Sequence, residues 1–221
     1  MWFLQPGITM TDVLMRIFAT LAVIFLTMPL HEYAHGLVAY KLGDKTAKYS
    51  GRLTLNPMSH FDPLGAFSIL VFDIGWAKPV PIDVKNFKHP KRDMALVALA
   101  GPLSNVIAAV LGTVILNATA FLPNVDIIIP IQKFFSYYII INISLAVFNF
   151  LPVPPLDGYK VLECLIPYKY LAKYYSYYPL ILLFILGLML FGFFEIPLMI
   201  IRKGIYSLVI KLGGLPFAAF M

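Results

Sequence analysis

Four stretches of this chain are apolar for long enough to cross a bilayer, and the few polar residues that interrupt them fall at particular depths. A spanning helix needs about 20 mainly apolar residues. The first candidate runs from Asp12 to about Leu42, with Thr11 or Asp12 as its cap and Gly43 as its stop. Val13 to Leu30 is almost wholly apolar, and Pro29, lacking a backbone donor, is expected to bend the helix. His31, Glu32 and His35 follow at once. At about 1.5 Å of rise per residue, His35 lies roughly 10 Å inside Lys41, whose long side chain can reach the cytoplasmic surface. The second candidate, Met94 to about Leu122, carries small residues at Ala98, Gly101, Ser104, Ala108 and Gly112, a spacing that makes a close-packing face. The third runs from about Ile131 to Leu151, embeds Asn142 and Asn149, and ends in Pro152-Val-Pro-Pro-Leu-Asp-Gly158. The fourth, Tyr178 to about Ile201, follows a cluster of tyrosines of the kind that gathers at membrane interfaces. A last apolar piece, Ile205 to Phe220, is broken by Gly213, Gly214 and Pro216, which leaves open whether it spans, re-enters or lies on the surface.

Residues 43 to 93 read as a long loop rich in Gly, Pro and Asn. Two runs in it have extended character, Arg52 to Asn56 and Gly75 to Ile82, and Pro79 and Pro81 in the second would suit only an edge strand. Ala66 to Phe72 is apolar but too short to span, so strands and a partly embedded or re-entrant piece are expected here. The predicted architecture is an all-α polytopic membrane protein, a bundle of about four to six transmembrane helices with a small membrane-associated β-loop. No linker, repeat or low-complexity stretch divides residues 1–221, which are read as a single domain with C-terminal helices over about 178–220.

Composition agrees: 60% of the 221 residues are hydrophobic, only 13% are charged, and the mean hydropathy is +0.83. An ordinary soluble domain is about a quarter charged, so the apolar excess faces lipid. The net charge of +6 does not point to nucleic acid, because no Lys/Arg cluster is interleaved with aromatics. Nine of the seventeen basic residues lie between Lys41 and Arg92, which places that segment in the cytoplasm by the positive-inside rule and makes the chain a multi-pass protein of the cell membrane. Arg202, Lys203 and Lys211 then fall outside, against the rule. No cleavable signal peptide is evident, so the first helix is expected to be retained. The single cysteine, Cys164, excludes an internal disulfide and any Cys-based metal site, and a metal would have to sit on His, Asp or Glu.

His31 and His35 are four apart on a helix, so both rings project from one face and can share a metal. Glu32 stands beside them as a base, in the His-Glu-x-x-His arrangement of zinc hydrolases. A hydrogen-bonded polar patch is the plainer reading, but three ionisable residues at membrane depth are expensive and usually mark function. A catalytic zinc needs a third protein ligand and a position left for water. His60 and His89 lie in the loop and Asp73 is loosely placed; Asp157, held after three prolines, is the best candidate, with a helix N-cap as its alternative role. A transporter or metal-binding membrane protein is a competing class, since ionisable intramembrane residues also line ion pathways, though no second set of broken helices suggests inverted repeats.

His31-Glu-Tyr-Ala-His35 together with Asn149-Phe-Leu-Pro-Val-Pro-Pro-Leu-Asp-Gly158 resembles the paired signature of the site-2 protease family of intramembrane metalloproteases. The likeness extends through Gly51 to Pro57, Gly75 to Pro81 and Ala100 to Asn105, and so covers roughly residues 28–165; the lack of an inserted PDZ-like domain is similar to compact prokaryotic members. The resemblance implies one Zn2+ per chain on His31, His35 and Asp157, with Glu32 as catalytic base. It implies that Asn149 orients the substrate or donates to the oxyanion, against the alternative of a helix-to-helix hydrogen bond; Asn105 invites the same question, with the structural reading ahead. Gly75 to Ile82 is similar to the family's β-loop, whose edge could hold an unwound substrate through backbone bonds. The partners implied are a transmembrane protein or peptide substrate and the lipid bilayer, with no nucleic acid, a homo-oligomer left open, and an active site opening toward the cytoplasm.

Overall fold

The computed structural model describes residues 7–72, 75–123, 126–167, 169–170 and 195–217, with isolated positions between 177 and 188. The fourth predicted span and Asp73 therefore lie largely or wholly outside the described residues. Among the described residues, three helices are long and apolar enough to cross a membrane: Met10–Lys41, Pro90–Phe121 and Ile128–Asn149.

The first is helix α1 (Met10–Ala22), a π-helical turn at Val23–Thr27 and helix α2 (Met28–Lys41) in one continuous rod. Its cap is Thr9, two or three residues earlier than the Thr11 or Asp12 the sequence suggests: the Asp12 amide donates to the Thr9 hydroxyl oxygen at 3.2 Å while the Thr9 amide donates to the Asp12 carboxylate at 3.0 Å. Pro29 does not end the helix. It sits in the first turn of α2, directly after the widened turn, where the Met28 amide reaches back five residues to the Val23 carbonyl. Thr27 bonds the Tyr138 hydroxyl at 2.9 Å, which ties this turn to the third span.

Short helices α3 (Thr46–Tyr49), α4 (Pro57–His60) and α5 (Pro63–Phe72) occupy the loop. Ala66 to Phe72, expected as an embedded piece, is thus helical, and at 10 residues α5 is too short to span. No strand forms among the described residues, so the β-loop is not seen. Gly75 to Ile82 is extended but has no ladder partner: Pro79 and Pro81 carry no N–H, the Lys78 amide donates to the His60 carbonyl at 2.9 Å, and the Val80 amide donates to the Glu32 carboxylate at 2.9 Å. The run crosses α5 backbone to backbone. A Cβ on Gly65 would lie 2.0 Å from the Trp76 carbonyl oxygen.

Helix α6 (Pro90–Ala118) is the central element, packed against α2, α7 (Ile128–Asn149), α8 (Asp157–Leu165) and the C-terminal helix Glu195–Gly214. The predicted small-residue face is buried along its length, at Ala98, Gly101, Ser104, Ala108 and Gly112. The opposite stripe, Leu103, Ile107, Leu111 and Ile115, is exposed at four-residue intervals, the pattern of a helix face suited to lipid. The small face serves two neighbours in turn. Gly101 meets the histidines of α2, whereas Gly112 meets Tyr138 and Ile139 of α7. A core of Ala19, Val23, Ile24, Ile69, Ile141 and Leu145 joins the first rod to α5 and α7.

The extended run is pinned at its far end by Asp44, which is fully buried just beyond α2. Its carboxylate accepts from the Thr46 amide (3.0 Å) and hydroxyl, the Asn86 side-chain amide (2.8 Å) and the Asp83 amide (2.8 Å). Burial alone would raise its pKa, but these donors outweigh burial and hold it below the ordinary carboxylate range. A group with a lowered folded pKa contributes stability in full above its unfolded pKa and loses it as pH falls through the folded value. Asp44→Asn is therefore expected to lower the thermal midpoint of the detergent-solubilised protein at pH 7, with a cost of about 2–4 kcal/mol for the donors left unsatisfied. The gap between variant and parent should narrow as pH drops below about 4. A gap that stays constant over that range would show that the carboxylate charge is not what holds the run.

Candidate metal centre

α2 and α8 bring His31, His35 and Asp157 to one point. The two histidine Nε2 atoms are 3.1 Å apart, and Asp157 Oδ2 lies 3.2 Å from His31 Nε2 and 3.1 Å from His35 Nε2. All three side chains are buried. Among the described residues this is the group of His, Cys, Asp and Glu side chains that can converge on one ion. His60 is instead buried under the loop, bonded to the Thr54 carbonyl at 2.8 Å, and His89 caps the start of α6.

The other ring nitrogens decide what the three atoms can do. His35 Nδ1 lies 2.7 Å from the Val97 carbonyl, which can only accept, so that nitrogen carries the proton. His31 Nδ1 lies 3.1 Å from the Asn105 side-chain oxygen and is a donor by the same logic. In the neutral rings both Nε2 atoms are then unprotonated and present lone pairs toward each other and toward a carboxylate oxygen. Three converging lone pairs repel unless a cation sits among them. Donor atoms on a tetrahedral zinc at 2.0–2.2 Å stand about 3.3–3.6 Å from one another, close to the separations observed, and two imidazoles with one carboxylate form a donor set suited to zinc. Burial by itself disfavours the Asp157 carboxylate, yet when the imidazoles are protonated their Nε2–H groups face Oδ2 and hold its pKa well below the usual range, so the side chain is an anion.

Asp157 is the first residue of α8, not its N-cap; Leu156 holds that position and the chain makes no side-chain cap there. The alternative role considered for Asp157 is therefore absent. Gly158 allows α8 to seat against the end of α7, because a Cβ there would lie 2.2 Å from the Phe150 carbonyl oxygen. Gly101 leaves the space in which the metal would sit: a Cβ there would fall 2.3 Å from His35 Nε2 and 2.5 Å from His31 Nε2.

A cavity of about 280 Å³ opens over this centre, lined by Glu32, Trp76, Val80, Asn149 and Lys160 among others. Glu32 is buried and takes its hydrogen bond from the Val80 amide, so the extended run aims the carboxylate. Asn149 lines the same cavity. One hydrogen of its Nδ2 goes to the Leu145 carbonyl at 3.0 Å within its own helix, and the second is left to donate. It makes no helix-to-helix bond among those described. Lys160, the Val80 amide and Gly101 were not singled out from sequence as parts of the centre. Lys160 alone carried a usable signal, since it follows Asp157 by three residues and so shares a helix face with it.

Comparison with known proteins fits this geometry. The description of Peptidase family M50 matches residues 125–190. YwhC of Bacillus subtilis (strain 168), named as a zinc metalloprotease, is 44% identical over 153 residues, which cover 68% of this chain and 70% of that one. Rip2 of Mycolicibacterium smegmatis, named likewise, is 30% identical over 146 residues, 62% of this chain and 53% of its own length. A Methanocaldococcus jannaschii protein with the same kind of name is 33% identical over 137 residues, covering 60% of this chain and 63% of that one. No solved structure matches.

Proposed function

The chain belongs to peptidase family M50, the site-2 protease family, and is a zinc metalloprotease; from that premise we propose that it hydrolyses peptide bonds in or near transmembrane segments of other membrane proteins. The observation that carries this reading is the convergence of His31 Nε2, His35 Nε2 and Asp157 Oδ2 within 3.2 Å of one another beside Glu32. Zinc held by these three atoms supplies Lewis-acid chemistry, making a water acidic and polarising an amide carbonyl. Glu32 takes the proton of the attacking water and passes it to the leaving amine, with the Val80 amide keeping its carboxylate turned into the cavity. Asn149 donates its free Nδ2 hydrogen toward the carbonyl oxygen as negative charge develops there. A helix hides its amides, so the substrate unwinds locally to enter. We place the reaction in the cell membrane, with the cavity opening to the cytoplasm, where the basic loop of residues 43–93 lies.

Purified protein in detergent, loaded with zinc, is expected to cleave a transmembrane test peptide and to stop when the metal is chelated. Asp157→Ala should lower bound zinc, measured by elemental analysis of folded protein, to a small fraction of one per chain. Full occupancy in that variant would remove Asp157 from the ligand set, and a metal-loaded parent that cuts no membrane substrate would overturn the proposed activity.

A further inference from the structure

The two carboxylate oxygens of Asp157 have separate tasks. Oδ2 faces both histidines, whereas Oδ1 accepts a hydrogen bond from Lys160 Nζ at 3.3 Å, its one partner among the described residues. Lys160 lies one turn along α8, and its side chain is about a third exposed, into the cavity over the metal centre. Gly158 seats α8 against the end of α7, which fixes where the helix carrying the pair begins. An unconstrained aspartate can wrap a metal with both oxygens. That would add a further ligand in the position which a catalytic zinc keeps for water.

We propose that Lys160 is a positioning residue that confines Asp157 to one-oxygen ligation, so that a coordination position stays open toward the cavity. The inference rests on the zinc reading above. The ammonium's hydrogen bond and positive charge at Oδ1 compete with a metal contact there, and it draws charge from the carboxylate, so the metal keeps more of its own positive charge. An ordinary ion pair between residues three apart on a helix would do neither. It would steady the helix slightly, with no effect on the metal.

Cobalt(II) reports the distinction, because four-coordinate cobalt absorbs visible light several-fold more strongly than five-coordinate cobalt. Parent protein loaded with cobalt should show the strong spectrum. Lys160→Met and Lys160→Gln should each bind one cobalt with the weaker spectrum, and with zinc their kcat should fall roughly 10–100-fold with KM little changed. Lys160→Arg, which keeps the charged donor, should restore both. Using two neutral variants guards against one that fails to fold. A strong four-coordinate spectrum in both neutral variants overturns the role of Lys160 and leaves the zinc reading intact. Failure of the parent to bind cobalt overturns the zinc reading itself and the inference with it.

Discussion

Glu32→Gln is expected to cut peptide hydrolysis by at least about 100-fold, the lower end of what a positioned general base contributes, while zinc content stays at that of the parent. The substitution is close to isosteric, and the amide oxygen of glutamine can accept the Val80 N–H that Glu32 Oε2 accepts at 2.9 Å, so the extended run should hold its course. Glu32 is also not among the three converging donor atoms. Loss of turnover with retained metal thus isolates proton transfer. Single-turnover cleavage of a transmembrane test peptide, with elemental analysis on the same sample, measures both quantities. Turnover that survives the change would mean another group takes the proton, and a loss of zinc would mean Glu32 helps hold the metal.

Gly101→Ala should strike zinc binding directly. Its Cβ would lie 2.3–2.6 Å from atoms of His35 and His31, within the space the metal needs, and the neighbouring atoms are rings already held from behind by Val97 and Asn105. Neither ring can retreat without breaking its hydrogen bond. We expect zinc affinity to fall by more than about 100-fold, beyond the cost of losing an outer-shell partner. Gly112→Ala is the control. It lies on the same helix face, its Cβ would come 3.0 Å from the Tyr138 ring, and it should lower thermal stability by roughly 1–3 kcal/mol through overpacking while leaving zinc bound. Equal zinc loss in both variants would mean that helix packing, not the space beside the histidines, governs metal binding.

Much of this centre was legible because it obeys local rules. The four-residue spacing of His31 and His35 puts two rings on one face wherever a helix forms, and the small-residue stripe of α6 announces a buried face from its period alone. Asp157 was a different matter. From sequence its place after three prolines was equally compatible with a helix cap, and the resemblance of its motif carried the ligand assignment; the geometry shows the side chain turned to the histidines. The role of Gly101 could not be read, since it depends on α6 passing directly in front of the imidazoles, a long-range contact that no local pattern encodes. The loop misled for a related reason. Its prolines and β-branched residues favour extended backbone, as found, but a strand also needs a partner, and the amides of Lys78 and Val80 are spent on His60 and Glu32.

The π-helical turn at Val23–Thr27 sets the phase of everything after it. Each residue advances an α-helix by about 100°, so one residue absorbed in a widened turn rotates the following face by that angle relative to an unbroken helix. Ala19 and Val23 are aligned to the core shared with α7, whereas His31 and His35, two turns later, are aligned to α6. In an unbroken α-helix His31 would stand about 80° round the axis from Val23, and the absorbed residue cancels that angle to within about 20°. The turn acts as an angular offset built into the rod, and it returns the imidazoles to nearly the bearing that Val23 takes in the core.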